Sequence, residues 1–522
     1  MLVLDQATHS DRGRNHIMIA LSTMPLWLLP LLALLPLFLI LKSKQVRRTN
    51  HPPGPPKLPI IGNLHQLGEL PHRSLWQFSK EYGPIMLLQL GCMPTLVVSS
   101  AEMAREIMKS HDLECCNRPD LMGPKRLSYN NLDIAFGRYS NSWRDMRKVC
   151  VLELFSVKRV QSFQSIREGV VTSMIGSISK SSSTPINLSE MLFTLTGDVI
   201  CRIAFGKSYK GREFDNGRFE EAVNEAFAML GGFSGADFFP YVGWILDKFT
   251  GLHGRLEKCF QQFDDFYQNV IDEHLNNERT EIEQEDIIDV LLKVGRGHKG
   301  AGPLSKNHIK GVLTNIFLGG VDTSAVTIVW AMTELVKNPQ VMKKVQDEIR
   351  STVGKKENVI EAIIEQLKYL KMVVKETLRL HPPAPILLPR ETMHHFTING
   401  YDIYPKIRVQ VNVYAIGRDP KYWMNPEEFM PERFMDNSID HKGTHFEFLP
   451  FGAGRRSCPG IHMGISIIEL TLANLLYAFD WGFPSGMKKE DINMDEEAGL
   501  TVHKKAPLYL VPIEENITSI SN

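Results

Sequence analysis

Residues 451–460 read Phe-Gly-Ala-Gly-Arg-Arg-Ser-Cys-Pro-Gly. Glycines at 452, 454 and 460 permit a tight turn with close backbone approach. A helical pattern runs on from Ile461 to about Tyr477. Cys458 therefore stands just ahead of a helix N-terminus, with Arg455 and Arg456 beside it. The positive end of the helix dipole and the two cations favour a thiolate. A thiolate held in this way suits a soft metal or a nucleophilic role, where a cysteine without such surroundings is simply a small buried side chain. The other six cysteines (Cys92, Cys115, Cys116, Cys150, Cys201 and Cys259) are scattered and form no Cys-x-x-Cys pair. A zinc framework, a thioredoxin-like site and a disulfide scaffold are not expected.

Other clusters carry chemistry less directly. Gly319-Gly320-Val321-Asp322-Thr323-Ser324 falls inside the longest helical pattern, about Lys306 to Lys337. Mid-helix glycines cost up to about 1 kcal/mol each relative to alanine. On their own they read as a kink beside a locally bonded threonine. Glu376 and Arg379 share one helix face at i,i+3, and on a surface that pair is worth less than about 1 kcal/mol. Trp143 and Arg147 stand at i,i+4 and put two donors on one face. Gly295-Arg296-Gly297-His298-Lys299-Gly300 is a literal G-x-G-x-x-G. It lacks the preceding strand that a dinucleotide site needs, because Asp286 to Lys293 has a helical period. No nicotinamide site is expected there.

Phe-x-x-Gly-x-Arg-x-Cys-x-Gly at 451–460 resembles the heme-binding loop of the cytochrome P-450 superfamily of heme-thiolate monooxygenases. Segments 319–324, 376–379, 431–434 (Pro-Glu-Arg-Phe) and 451–460 occur in that family's order. The wording around Cys458, and His381-Pro382-Pro383, are most similar to plant microsomal members. The resemblance implies that Cys458 ligates the iron of heme b, Arg456 contacts a propionate and Phe451 packs beside the ligand loop, with Gly454 and Gly460 shaping the heme-binding turn. It implies that Trp143 and Arg147 donate to one propionate, and that Arg390 is a further propionate partner. Glu376, Arg379 and Arg433 become a buried triad that positions the loop. Asp322 and Thr323 become the residues that deliver protons during oxygen activation. Thiolate ligation pushes electron density onto the iron and favours O–O cleavage.

By the same resemblance, electrons come from NADPH only indirectly, through a separate cytochrome P-450 reductase, with cytochrome b5 as a second donor. Basic residues Arg144, Lys148, Lys158 and Arg159 would help steer that partner. The substrates are dioxygen and a small apolar molecule, such as a terpenoid, an alkaloid or a phenylpropanoid. Its walls would come from Leu121 to Leu132, the helix before Thr323, Ala384 to Leu388 and Ala498 to Val502. Two alternatives stay open: a heme-thiolate enzyme of another class (aldoxime dehydration, rearrangement, oxidative coupling), and a non-catalytic heme-binding membrane protein.

These residues need a scaffold. Long helical patterns cover about 306–337, with Ser305 as N-cap, and about Glu361 to Leu380, ending at Pro382-Pro383. Strand signals are few. Phe396–Ile398 and Tyr401–Ile403 flank Asn399-Gly400, a two-residue hairpin turn, and 408–413 alternates polar and apolar. The fold class is therefore mainly α with a small antiparallel β portion, as the family resemblance also implies. Residues 17–41 contain no Asp, Glu, Lys or Arg, and Lys42, Lys44, Arg47 and Arg48 follow. That pattern predicts one N-terminal transmembrane helix with the rest of the chain cytosolic, on the endoplasmic reticulum membrane. The expected organisation is a luminal tail 1–16, the anchor 17–41, a basic and proline-rich linker 42–59, and a catalytic domain 60–522. Lys plus Arg and Asp plus Glu both number 59, so nucleic acid is not an expected partner.

Overall fold

The computed structural model describes residues 50–208, 218–276, 285–296 and 304–514. The tail 1–16, the anchor 17–41 and linker residues 42–49 lie outside them, as does Gly297 to Gly300. The chain falls into two units, Met1–His51 with Gly400–Asp402, and Pro52–Asn399 with Ile403–Asn522. Of the first unit, only Asn50, His51 and Gly400–Asp402 are described. Apart from the backbone conformation of Gly400, everything below concerns the second unit.

Seven helices matter to the site: α1 (Asn141–Val149), α2 (Leu188–Phe205), α3 (Ile287–Gly295), α4 (Lys306–Lys337), α5 (Pro339–Val353), α6 (Lys368–Leu380) and α7 (Ile461–Ala478). α4 has 32 residues, so it is about 48 Å long. Ser305 caps it by accepting from the His308 amide, and Pro339 opens α5 one residue past its C-cap. It packs against α2 along one side and α7 along another. Being apolar almost all round, α4 is buried almost all round. α4 and α7 are long and apolar enough to cross a membrane, but both are mostly enclosed by the rest of the fold. α3 starts with a capping box between Asp286 and Asp289, which agrees with the helical reading of that stretch.

The helix expected over 361–380 is two helices, Glu361–Ile364 and α6. The break has a cause outside the segment. The amides of Tyr369 and Leu370 donate to the two carboxylate oxygens of Glu348 on α5, at 2.7 and 3.0 Å. Glu348 thus caps α6 from a neighbouring helix. The apolar face of α6 is as expected: Leu370, Val374 and Leu378 are buried.

The main sheet has four strands, β1 (Ile85–Leu90), β2 (Met93–Val98), β3 (Arg390–Glu391) and β4 (Arg408–Val411), in the order β1-β2-β4-β3. β2 and β4 are parallel while the other pairs are antiparallel. The expected purely antiparallel β portion is corrected to a mixed one. A long helical crossover separates β2 from β4, which is what a parallel pair needs. β5 (Glu496–Glu497) and β6 (His503–Lys504) form a short antiparallel ladder. Asn399 and Gly400 take φ of 49° and 79°, the left-handed pair of a type I′ turn. The described part of the expected proline-rich linker is docked on the fold. Pro53 accepts from the Leu87 amide, and Pro52 and Pro55 are buried.

Candidate heme-thiolate site

The turn at 451–460 is set by two glycines in the left-handed region, Gly452 (φ 65°) and Gly454 (φ 69°). A Cβ on Gly454 would sit 2.4 Å from the Met108 carbonyl oxygen. Gly454 is thus a packing and backbone requirement rather than a cavity wall. Gly460 has φ −88°, so nothing in its conformation demands glycine, but it does line the cavity. The Cys458 amide donates to the Phe451 carbonyl at 2.9 Å and closes the turn. Phe451 lines the same cavity and meets the His441 ring edge-on.

Cys458 is exposed, yet the surface it is exposed to is internal. Its thiol faces a cavity of about 340 Å³. Burial holds that thiol above its ordinary pKa, against the Gly460 amide and the Arg147 charge. The expectation that Arg455 and Arg456 lower it is corrected. Arg455 turns to Asp112, with Nη1 2.9 Å from Oδ2. Arg456 turns to the carbonyls of Cys116 and Gly137, each at 2.7 Å. The guanidinium that reaches the thiol is that of Arg147.

Four arginines line the cavity, Arg118, Arg147, Arg390 and Arg456, against one carboxylate, Asp133. Burial pushes the pKa of Arg118 well down, and repulsion from Arg456 and Arg390 adds to it. Burial likewise lowers Arg456 to about 10. Burial pushes Asp133 up to about 6, opposed by Asn315 and the Phe136 and Gly137 amides. Arg390 is the best compensated, with Asp112 Oδ1 at 2.8 Å and the Ala453 carbonyl at 2.9 Å. Sequence reasoning missed Arg118 and Asp112. Only the fold brings them to residues some 270 or more positions away. The Trp143 and Arg147 donors do not converge. Trp143 Nε1 donates to the Ile134 carbonyl at 3.0 Å and its ring lies under the Arg456 guanidinium, 3.9 Å from the ring centroid. Arg147 donates to the Ser457 carbonyl at 2.5 Å.

α4 supplies Gly319, Gly320 and Thr323 to the wall of the same cavity. The helix is continuous through these glycines. A Cβ on Gly319 would meet open space, while one on Gly320 would sit 2.6 Å from Ile200 Cδ1 of α2. Thr323 Oγ1 donates to the Gly319 carbonyl at 2.7 Å. Asp322 does not line the cavity. One helical step turns it away, where Thr501 Oγ1 donates to its Oδ2 and His503 Nε2 lies 2.9 Å from its Oδ1. The remaining walls include Pro124, Leu127, Ala384, Leu388, Leu500 and Thr501, all within the expected segments. Ile200, Phe227 and Leu230 were not anticipated.

The triad forms as expected, at one remove from the loop. Glu376 accepts from Arg379 Nε and Nη2 at 2.7 Å each and from Arg433 Nε at 2.9 Å. The remaining guanidinium donors of Arg379 bind the carbonyls of Gly417, Pro426 and Glu428. The Arg379 guanidinium stacks over Trp423, which packs with Phe434 and Phe448 just before the loop.

The same arrangement has known relatives. Residues 52–511 match the family model described as Cytochrome P450. This chain is a cytochrome P450. It is 53% identical to cytochrome P450 71B10 of Arabidopsis thaliana over 497 residues, covering 94% of this chain and 99% of the relative. Cytochrome P450 71B26 of the same plant is 52% identical over 498 residues, with the same coverage. A solved zebra fish cytochrome P450 with progesterone superposes with a TM-score of 0.73 at 26% identity, covering 85% of this chain and 99% of that one. The P450 is thus a heme-dependent monooxygenase of a family whose axial ligand is a cysteine thiolate. Its cavity fits that group. A soft sulfur donor faces in, and an excess of buried guanidinium charge calls for an anion such as a propionate pair. A metal deprotonates a coordinating thiol outright, so the raised free-thiol pKa is no obstacle.

Proposed function

We propose that Cys458 is the axial thiolate and that this P450 oxidises a small, largely apolar specialised metabolite. The observation that carries the reading is the Cys458 thiol facing a cavity in which four guanidinium groups meet one carboxylate. Arg118, Arg147, Arg390 and Arg456 would hold the carboxylates of the heme. When bound, the heme supplies oxygen activation with a strongly donating thiolate behind the iron. The chain does the rest. Residues such as Leu127, Phe136, Ala384 and Leu388 bind and orient an apolar substrate and exclude water from it. The open space beside Gly319 leaves room for a diatomic ligand against α4. Thr323 places a hydroxyl at the same wall.

Electrons would come from NADPH through a cytochrome P450 reductase, with cytochrome b5 as a second donor. Arg144, Lys148 and Lys158 are exposed, on or just after the helix whose Arg147 bonds the Ser457 carbonyl beside Cys458, and suit an acidic partner. Residues 17–41 would anchor the chain in the endoplasmic reticulum membrane. The full-length protein, its reductase and NADPH are incubated with small apolar plant metabolites under heavy-isotope dioxygen. The expected result is a product carrying one labelled oxygen, absent without NADPH. Products that form without incorporation of label would assign the protein to another heme-thiolate reaction class.

A further inference from the structure

One polar side chain on α4 has a hydrogen-bond donor left over. Residues 309–318 are buried except Asn315, which is half-buried and lines the cavity. Asn315 Oδ1 accepts from the Ile134 and Ala135 amides at 3.1 and 3.0 Å. Two amide donors on one atom fix which end of the side chain is oxygen and which is nitrogen. Nδ2 is then the atom that donates to Asp133 Oδ2, at 2.8 Å, and this uses one of its two hydrogens. The second has no acceptor among the described residues. Other donors in the wall are engaged. The hydroxyls of Ser128, Thr314, Thr323, Thr327 and Thr501 each donate to an acceptor inside the protein.

We propose that the spare Asn315 N–H anchors the substrate, and that the substrate is a small apolar molecule bearing an acceptor oxygen, a ketone or an alcohol, several bonds from the carbon that is oxidised. The inference rests on the heme-thiolate reading of the same cavity and deepens it. Asn315 and Gly319 stand at i,i+4 on one face of α4. At about 1.5 Å per residue, Gly319 lies about 6 Å further along the helix axis. Beside Gly319 a Cβ would meet open space. A molecule held by its oxygen at Asn315 therefore presents carbons about 6 Å further on to that space. Leu127, Phe136, Ala384 and Leu388 line the same cavity and their side chains offer no donor. The oxygen thus has one favoured end of the cavity, and the molecule one favoured direction.

The donor is held in place before any ligand arrives. Asp133, which takes the first hydrogen, itself accepts from the Phe136 amide at 3.1 Å. One turn before Asn315, a Cβ on Gly311 would lie 3.5 Å from the Ser128 carbonyl oxygen and from the Asp133 amide nitrogen. The loop 128–136 therefore lies against α4 and fixes the plane of the Asn315 amide. Little side-chain freedom is left to lose when a ligand binds. A donor fixed in a largely apolar wall also discriminates, because a hydrocarbon would strip it of water and leave it unpaired. The two roles of Asn315 belong to different atoms. Oδ1 and the first Nδ2 hydrogen pin the loop, and the second hydrogen selects the ligand.

The test uses the full-length heme-loaded protein and Asn315→Asp. In that variant the acceptor for the two loop amides is kept, and a proton shared with Asp133 replaces the internal N–H bond. Burial already pushes Asp133 up to about 6, and a second carboxyl beside it holds the shared proton at neutral pH. Only the cavity-facing hydrogen is lost. Equilibrium dialysis, without reductase or NADPH, compares matched hydrocarbons and ketones: p-menthane with menthone, decalin with 2-decalone, and cyclododecane with cyclododecanone. From parent to variant, the ratio of ketone to hydrocarbon affinity should fall about tenfold in at least one pair, with the hydrocarbon itself within about twofold. The infrared carbonyl stretch of the ketone bound to the parent should lie below its value in an apolar solvent, a shift that pinning the loop would not produce. A ratio unchanged in all pairs, or a parent that binds none of the ketones, overturns the anchor while the heme-thiolate reading stands. A bound stretch at the apolar-solvent value does the same, and this reading on the parent decides even where the variant fails to fold. Retention of the carbon monoxide band in Asn315→Asp shows that heme and fold are intact. A parent protein without the band overturns both readings.

Discussion

The triad and the cavity both bury arginines, and they do so to opposite ends. In the triad, Glu376 faces Arg379 and Arg433, and Arg379 and Arg433 spend their other donors on backbone carbonyls. Two cations share one carboxylate there, and backbone carbonyls take up their remaining donors. The cavity is lined by four guanidinium groups and one carboxylate; of the four, only Arg390 has an ion-pair partner among the described residues, Asp112, and Arg118 is pushed well down partly by its fellow arginines. A set of cations whose donors are taken up inside the protein is a structural clamp. An open set is a binding site for an anion from outside the chain. Identical side chains therefore differ in role according to whether the fold completes their pairing.

The largest expected effect breaks the clamp. Glu376→Gln strands two buried guanidinium groups and should cost about 3–5 kcal/mol, read as a lower denaturant midpoint. Heme should not rescue it. On the cavity side the pattern reverses. Arg147→Leu removes a cation that faces the cavity and frees one carbonyl, so the bare chain should lose only about 1 kcal/mol. Heme retention should fall by about 1.5–3 kcal/mol, at least tenfold, measured by transfer of heme to a scavenger protein. A variant that destabilised the chain as much as Glu376→Gln does would erase the distinction.

Two adjacent glycines sharpen the same contrast between filled and open space. Gly320→Ala would press on Ile200 of α2 and should destabilise by about 1–3 kcal/mol. Gly319→Ala meets nothing within 4 Å, and the gain in helix propensity should leave stability equal or up to about 1 kcal/mol higher. It should nevertheless weaken the binding of ligands that reach the α4 wall, read as a shift in spectral titrations. Equal destabilisation by both substitutions would contradict the open wall at Gly319.

Local signals were legible in the sequence where the cause was local. Ser305 capping α4, Pro339 ending it, the left-handed pair Asn399-Gly400 and the apolar face of α6 all sit within a few residues of what they determine. The Glu376–Arg379 pairing is one helical turn. What stayed hidden was set at long range. The break before α6 is made by Glu348 on α5, and the parallel pairing of β2 with β4 by a crossover of most of the chain. The direction of Asp322 is set by Thr501 and His503, far along the chain. Arg118 carries no motif; the site shows only when the fold folds it onto Leu388 and Pro389. The thiol pKa was misjudged because proximity in sequence placed Arg455 and Arg456 near Cys458, whereas their side chains turn to Asp112, Cys116 and Gly137.

The most direct measurement is the carbon monoxide difference spectrum of the dithionite-reduced full-length protein, taken beside Cys458→Ala. With Cys458 as the thiolate ligand, the parent gives a strongly red-shifted Soret band and Cys458→Ala gives none. A parent band that survives unchanged in a folded Cys458→Ala protein would contradict the assignment of Cys458.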